Sequence, residues 1–240
     1  MKQRIKLIVM ALFLFVFDIS YTPANFVDSD IEFHPIKHAT FVIQSKTATI
    51  YVDPVGDLKI FDKYPKPDII LITDIHKDHL NKEVVDNIKH PNTLIICTKD
   101  AETQLKDGRI LKNGESLNHQ GIIIEAIPAY NLTPERLKFH PKGRGNGYLI
   151  SMSRKRIYIS GDTEDIPEMK SLKNIDYAFV CMNLPYTMTE DQSAAAVLTF
   201  KPKVVFPYHY RGKNGFSDIN KFKTTVEKAG YTQVIFLTWY

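Results

Sequence analysis

Cysteine is scarce in this chain, with two in 240 residues. Cys97 and Cys181 each close an apolar run, "TLIIC" and "YAFVC". Both read as buried strand residues, and two positions alone leave a disulfide open. An excess of one charge is also missing. Of 31 basic and 27 acidic residues, Lys2, Arg4, Lys6 and Asp18 lie in the first 20, leaving a balance of about +2 for the remainder. Charge therefore gives no case for a nucleic-acid surface. Long hydrophobic runs are lacking as well. The apolar run "LIVMALFLFVF", residues 7–17, has 11 residues. That length suits a secretory signal and is short for a membrane-spanning helix. After the basic start "MKQRIK" it reads as a signal peptide or N-terminal anchor within residues 1–24, ahead of one domain over 25–240. An exported protein, periplasmic or extracellular, is expected, with membrane contact only if the segment stays uncleaved. No cysteine follows the run, so a lipoprotein anchor is not supported. Repeats, low-complexity tracts and linkers are absent after it.

What the chain does have is short β-branched and aromatic runs, among them "FVIQ", "ATIYVD", "DIILIT", "TLIICT", "GYLIS" and "KVVFPY". Each is bounded by turn or polar residues, as strands are. Several are apolar on both faces, which implies burial on both sides. "SKTA" and "SRKR" read as hairpin turns. Helical patterns begin at Asn81, after "TLIICT", at Thr189 and at Ser217. Sheets packed together with helices outside follow from this alternation.

The segment "LITDIHKDHLNKE", residues 71–83, places Asp74, His76, Asp78 and His79 where a buried strand gives way to a helix. Carboxylates and imidazoles in that spacing either hold one or two transition-metal ions or form a solvated loop. The apolar strand before them favours metal, because ligand sites in layered α/β proteins form at strand ends.

With "IYVDPV" around Asp53, "IYISGDTE" around Asp162 and "VVFPYHY" around His209, in that order, the segment resembles the hallmark of the metallo-β-lactamase fold superfamily. "KHATFVI" around His38 is similar to the start of the L-ascorbate-6-phosphate lactonase-like branch. The resemblance covers residues 31 to about 215. It implies an α+β fold, a four-layer αββα sandwich, and a metal-dependent hydrolase. It assigns Asp74, His76, Asp78, His79, Asp162 and His209 as metal ligands, with Asp162 bridging and with Asp78 and Asp162 catalytic. Asp74 stands where the family has its first His, and Asn131 where it has another. Asn131 is therefore expected as a weak ligand of the first site. Oxygen-rich ligands move preference from zinc toward manganese or iron. One or two divalent ions are expected.

The activity implied is hydrolysis of a small-molecule ester, lactone or phosphoester by metal-activated water. The alternatives are a lipid phosphodiesterase similar to N-acylphosphatidylethanolamine phospholipase D, and a metal-binding protein with impaired catalysis. "FHPKGRGNGY", residues 139–148, offers His140, Lys142 and Arg144 among glycines. It is either a substrate loop, with the backbone approaching the ligand, or a solvated loop. No strand–turn–helix frame surrounds it, so it is not a nucleotide fingerprint. His38, His140, Arg144 and Arg211 are the substrate-binding candidates.

Overall fold

A computed structural model describes residues 25–28 and 30–240. The targeting segment expected at residues 1–24 lies outside the described residues. Among the described residues no helix is long and apolar enough to cross a membrane.

The first half builds one sheet from β1 (Phe26–Asp28), β2 (Ile31–Lys37), β3 (Thr40–Ser45), β4 (Thr49–Val52), β5 (Ile69–Leu71), β6 (Leu94–Cys97) and β7 (Arg109–Ile110), paired in that order. Strands β1 to β4 are antiparallel neighbours, and β4 to β7 run parallel. Helices α1 (Lys82–Ile88) and α2 (Lys99–Leu105) connect the parallel strands, as parallel pairing requires a crossover. Asn81 and Thr98 cap them, accepting from Val84 N and Ala101 N.

The second half builds a like sheet. It contains β8 (Ser116–His119), β9 (Ile122–Ala129), β10 (Gly145–Met152), β11 (Lys155–Ile159), β12 (Tyr177–Cys181) and β13 (Val204–Tyr208). A short ribbon, β14 (Arg211–Gly212) with β15 (Gly215–Phe216), stands apart, and β16 (Gln233–Val234) closes the sheet beside β13. Its helices are α3 (Pro167–Lys170), α4 (Glu190–Phe200) and α5 (Ile219–Glu227). A reciprocal capping box at Thr189 and Gln192 starts α4. Asp218 rather than Ser217 caps α5, because its carboxylate accepts from Lys221 N.

Strand alternation sorts the layers. Ile50, Val52, Ile69, Leu71 and Ile96 join the large core shared with the second sheet. Their neighbours Tyr51, Ile70, Ile95 and Cys97 face the other way, into a separate core with Val84, Val85, Ala101 and Leu105 of the helices. Both faces of these strands are thus buried, which explains their unbroken apolar sequences. The result is the expected α+β sandwich of two large sheets between helices. Cys97 and Cys181 are both buried free thiols.

Candidate metal centre

Four turns at strand ends, after β4, β5, β11 and β13, assemble the site. Past β5, Thr73 N donates to Asp53 Oδ1 at 2.7 Å, and the Thr73 hydroxyl donates to Asp53 Oδ2 at 2.6 Å. The chain then turns tightly, with His79 N and Leu80 N both donating to the His76 carbonyl. This brings Asp74, His76, Asp78 and His79 to one end of the sheet before α1 begins. Asp53 follows β4 with φ 44°, a left-handed conformation that Asp tolerates better than most residues. His209 follows β13 with φ 45°, and Asp162 follows β11 through Ser160 and Gly161. Gly161 has φ +61°, and a Cβ there would sit 2.7 Å from the Asn146 carbonyl oxygen, so that turn requires glycine.

His79 is fully buried, and its Nδ1 lies 2.8 Å from Asp53 Oδ2. An ionised carboxylate only accepts, so Nδ1 keeps its proton when the ring is neutral, and Nε2 is then the lone pair a metal could take. That Nε2 has no hydrogen-bond partner and lies 3.4 Å from Asp162 Oδ2. Burial opposes charge on the ring, but Asp162 and Asp53 outweigh it and raise its pKa well above the ordinary value. His209 Nε2 lies 3.4 Å from Asp78 Oδ2 and 3.5 Å from Asp162 Oδ1. Burial pushes the Asp78 carboxyl up, yet the His209 hydrogen bond and the charges of His79 and His209 hold it well below the usual range. Asp162 follows the same pattern. Burial is outweighed by His209, His79 and His140, so its carboxyl is held far down.

His140 is the residue that sequence reasoning misplaced. It stands in the loop between β9 and β10, almost wholly buried, with Nε2 3.1 Å from Asp162 Oδ2 and 3.6 Å from Asp74 Oδ2. With Asp74 and His76 it forms one trio of donor atoms lying within 4.8 Å of one another; Asp78, His79 and His209 form a second. Asn131, expected as a weak ligand, has a buried Oδ1 without a hydrogen-bond partner, the atom through which it would coordinate. Its amide nitrogen donates to the carbonyls of Tyr186 at 2.7 Å and Arg136 at 2.9 Å, which spends both hydrogens. It stands behind His140, 3.3 Å from Nδ1. The Nδ1 proton goes to the Tyr186 carbonyl at 3.1 Å, so Nε2 is again the free lone pair. The one available signal was indirect: the first trio lacks an imidazole at position 131, and His140 is the next histidine along the chain.

The remaining candidates separate. Arg144 meets Asp74 with a two-pronged pair, Nε to Oδ1 and Nη2 to Oδ2, both 3.1 Å. His38 borders the second trio, its ring 5.6 Å from that of His209 and its Nδ1 3.2 Å from the Tyr240 hydroxyl. Burial and the His209 charge push its pKa down to about 4, so it is neutral at pH 7. Arg211 lies exposed in the β14–β15 ribbon and does not line the cavity beside the two trios. Lys142 leaves the site for Glu168 and the Tyr130 hydroxyl. Two of the three glycines in the 139–148 stretch are explained by strand packing; Gly143, with φ +90° and open space about it, is not. Gly145 and Gly147 lie in β10, where a Cβ would sit 3.0 Å from the Ala129 carbonyl oxygen and 2.7 Å from that of Ile159. Close strand packing accounts for them.

The donor set fits divalent metal. Ligands about 2.1 Å from one tetrahedral ion lie about 3.4 Å from each other; five imidazole–carboxylate distances here run from 3.1 to 3.6 Å, while His76 Nδ1 lies closer to Asp74 Oδ2, at 2.6 Å in a direct hydrogen bond. Nε2 of His79, Nε2 of His140 and Oδ1 of Asp162 are buried without hydrogen-bond partners. Unpaired buried polar atoms are costly, and bound metal would satisfy them. A cavity of about 300 Å³ opens over them, lined by His76, Asp78, Phe139, His140, Asp162, Asn183 and Tyr186.

Comparison with known proteins gives a consistent result. Residues 32–209 match the β-lactamase superfamily domain. A protein of Parabacteroides distasonis, assigned as a metal-dependent hydrolase, is 41% identical, with TM-score 0.81 over 88% of this chain and 94% of that one. A metal-dependent hydrolase of Nanoarchaeum equitans is 28% identical over 209 residues, 82% of this chain and 93% of its own. A metallo hydrolase of Ignicoccus hospitalis shares the fold at TM-score 0.74 and 23% identity, over 88% of this chain and 96% of that one.

Proposed function

This chain belongs to the β-lactamase superfamily domain family and is a metal-dependent hydrolase; from that premise we propose that it cleaves a small ester, lactone or phosphoester. The observation that carries the reading is the convergence of unpaired imidazole and carboxylate atoms on the floor of a cavity of about 300 Å³. That volume suits a small molecule held at a few polar points. His79, His209 and Asp78 would hold one divalent ion, Asp74, His76 and His140 a second, with Asp162 between them. Zinc, manganese and iron all accept such nitrogen and oxygen donors. A bound divalent ion supplies Lewis acidity, polarising the oxygen under attack and acidifying water.

The chain's own groups do the rest. Asp78 lies on the cavity wall with its side chain 46% exposed. Held ionised by His209 and His79, it accepts a hydrogen bond from water and orients it toward the substrate. The Phe139 and Tyr186 rings, edge to face at 5.1 Å, form an apolar wall against the non-reacting part of the substrate. The Asn183 amide, 3.2 Å from His209 Nε2, offers a donor to a substrate oxygen. His140 offers an imidazole in place of the one missing at position 131, which weakens one of the two reasons, Asn131 and Asp74, to expect an impaired site.

The test is an activity screen with aryl esters, lactones and bis-aryl phosphodiesters, run together with metal analysis on wild type and Asp162→Ala. Turnover of one class in wild type, lost with the metal in the variant, is the expected result. Full activity and normal metal content in Asp162→Ala would refute the assignment.

A further inference from the structure

The two donor trios differ in one respect that the fold does not require. The second trio has no lysine or arginine paired with it among the described residues; its carboxylate, Asp78, pairs with His209. The first trio already holds a cation. Arg144 grips the buried Asp74 with both prongs at 3.1 Å, and the same Nη2 lies 3.5 Å from His76 Nε2. Nη2 also donates to the Phe139 carbonyl, so both its hydrogens are spent and its place is fixed by three elements of the site. The Arg144 side chain is 15% exposed and that of Asp74 is 2% exposed. One guanidinium nitrogen therefore stands within 3.5 Å of two of the first trio's side chains.

We propose that Arg144 is a resident cation of the first trio and makes the two sites unequal. This inference rests on the hydrolase reading above. An ion entering between Asp74, His76 and His140 must break a buried, two-pronged arginine–carboxylate pair, among the stronger side-chain interactions. It must also displace a positive charge or lie beside it in a poorly screened environment. The second trio imposes neither cost. The protein accordingly takes one divalent ion tightly between Asp78, His79, His209 and Asp162. It takes another at the first trio only when the guanidinium is displaced.

Equilibrium dialysis of wild type, Arg144→Gln and Arg144→Lys against buffered free zinc, read by elemental mass spectrometry, tests this. Wild type should bind one equivalent at low free zinc and a second only at tenfold or more higher concentration. Arg144→Gln, which keeps a polar side chain but shortens it and removes the charge, should bring the second equivalent down toward the first. Arg144→Lys, which keeps the charge, should retain the asymmetry. Two equal equivalents in wild type, or no change in Arg144→Gln, would overturn the inference and leave the hydrolase reading intact. No zinc in any of the three proteins would overturn both. A readout free of variants comes from histidine ring nitrogen resonances of wild type with one equivalent of zinc. Those of His79 and His209 should shift while those of His76 stay. A shift at His76 in that first equivalent would refute the assignment of the tight site.

Discussion

Asp53→Asn isolates how the fold sets the proton of a ligand it does not itself supply. Asp53 Oδ1 accepts from Thr73 N, and Oδ2 accepts from the Thr73 hydroxyl and His79 Nδ1. Asparagine keeps the shape and tolerates the left-handed backbone at this position. It also keeps the Oδ1 bond to Thr73 N. The atom facing His79, however, changes from acceptor to donor. His79 Nδ1 must then accept, its proton moves to Nε2, and the atom that faced Asp162 loses its lone pair. Groups that orient a ligand in this way cost about 10–100-fold in metal affinity when changed, equivalent to about 1.4–2.8 kcal/mol. Folding should lose a similar amount, about 1.5–3 kcal/mol, because a charge-assisted bond is removed without leaving a cavity. Competition with a chromophoric chelator measures the affinity, and thermal unfolding in excess chelator measures the stability. A folded Asp53→Asn protein that binds zinc as tightly as wild type would refute the tautomer argument.

Replacing His140 by Ala should remove zinc capacity at the first trio at saturating metal. Asn131→Ala should keep the stoichiometry but lose about 1–3 kcal/mol of stability by removing two buried hydrogen bonds, to the Tyr186 and Arg136 carbonyls. Metal analysis beside thermal melts separates the two, and equal metal loss in both variants would restore Asn131 as a ligand. Glu164 is buried and accepts from Leu132 N, Thr133 N and Arg136 Nη1, each at 2.6 Å. Burial pushes its carboxyl up, but these bonds outweigh it and hold the pKa below the ordinary 4.5. Its contribution is therefore complete above about pH 4.5 and is lost as pH falls through the lower folded value. Glu164→Gln should be less stable by about 2–4 kcal/mol at pH 7, and the gap should narrow in acid. A gap that stays constant in urea titrations from pH 7 down to pH 3 would sink that account.

The strands were legible because burial on both faces leaves unbroken apolar runs, as at Ile69–Leu71 and Leu94–Cys97. The helices α1 and α4 were legible from Asn81 and Thr189, whose side chains act within three residues. The candidate ligands Asp74, His76, Asp78 and His79 stood out for the same reason, being close in sequence. His140 was not, because its nearness to Asp74 is made by the pairing of β9 with β10 and the packing of two sheets. The purpose of Gly145 and Gly147 was hidden likewise. Whether a glycine meets a ligand or a neighbouring strand depends on backbone far away in sequence. The pairing of Arg144 with Asp74, 70 residues apart, belongs to the same class.

The donors do not come from one sheet. Asp74 to His79 hang from the first, and His140, Asp162 and His209 from the second. An ion held among them closes loops of more than sixty residues, as a cross-link between the halves of the sandwich does. Metal content is then a mechanical property of the molecule as well as a chemical one. With the ion, separating the sheets at this end means breaking coordination bonds; without it, the sheets are joined there by weaker pairs such as Arg144–Asp74 and His209–Asp78. The protein's endurance of heat and proteolysis should therefore follow the supply of metal around it.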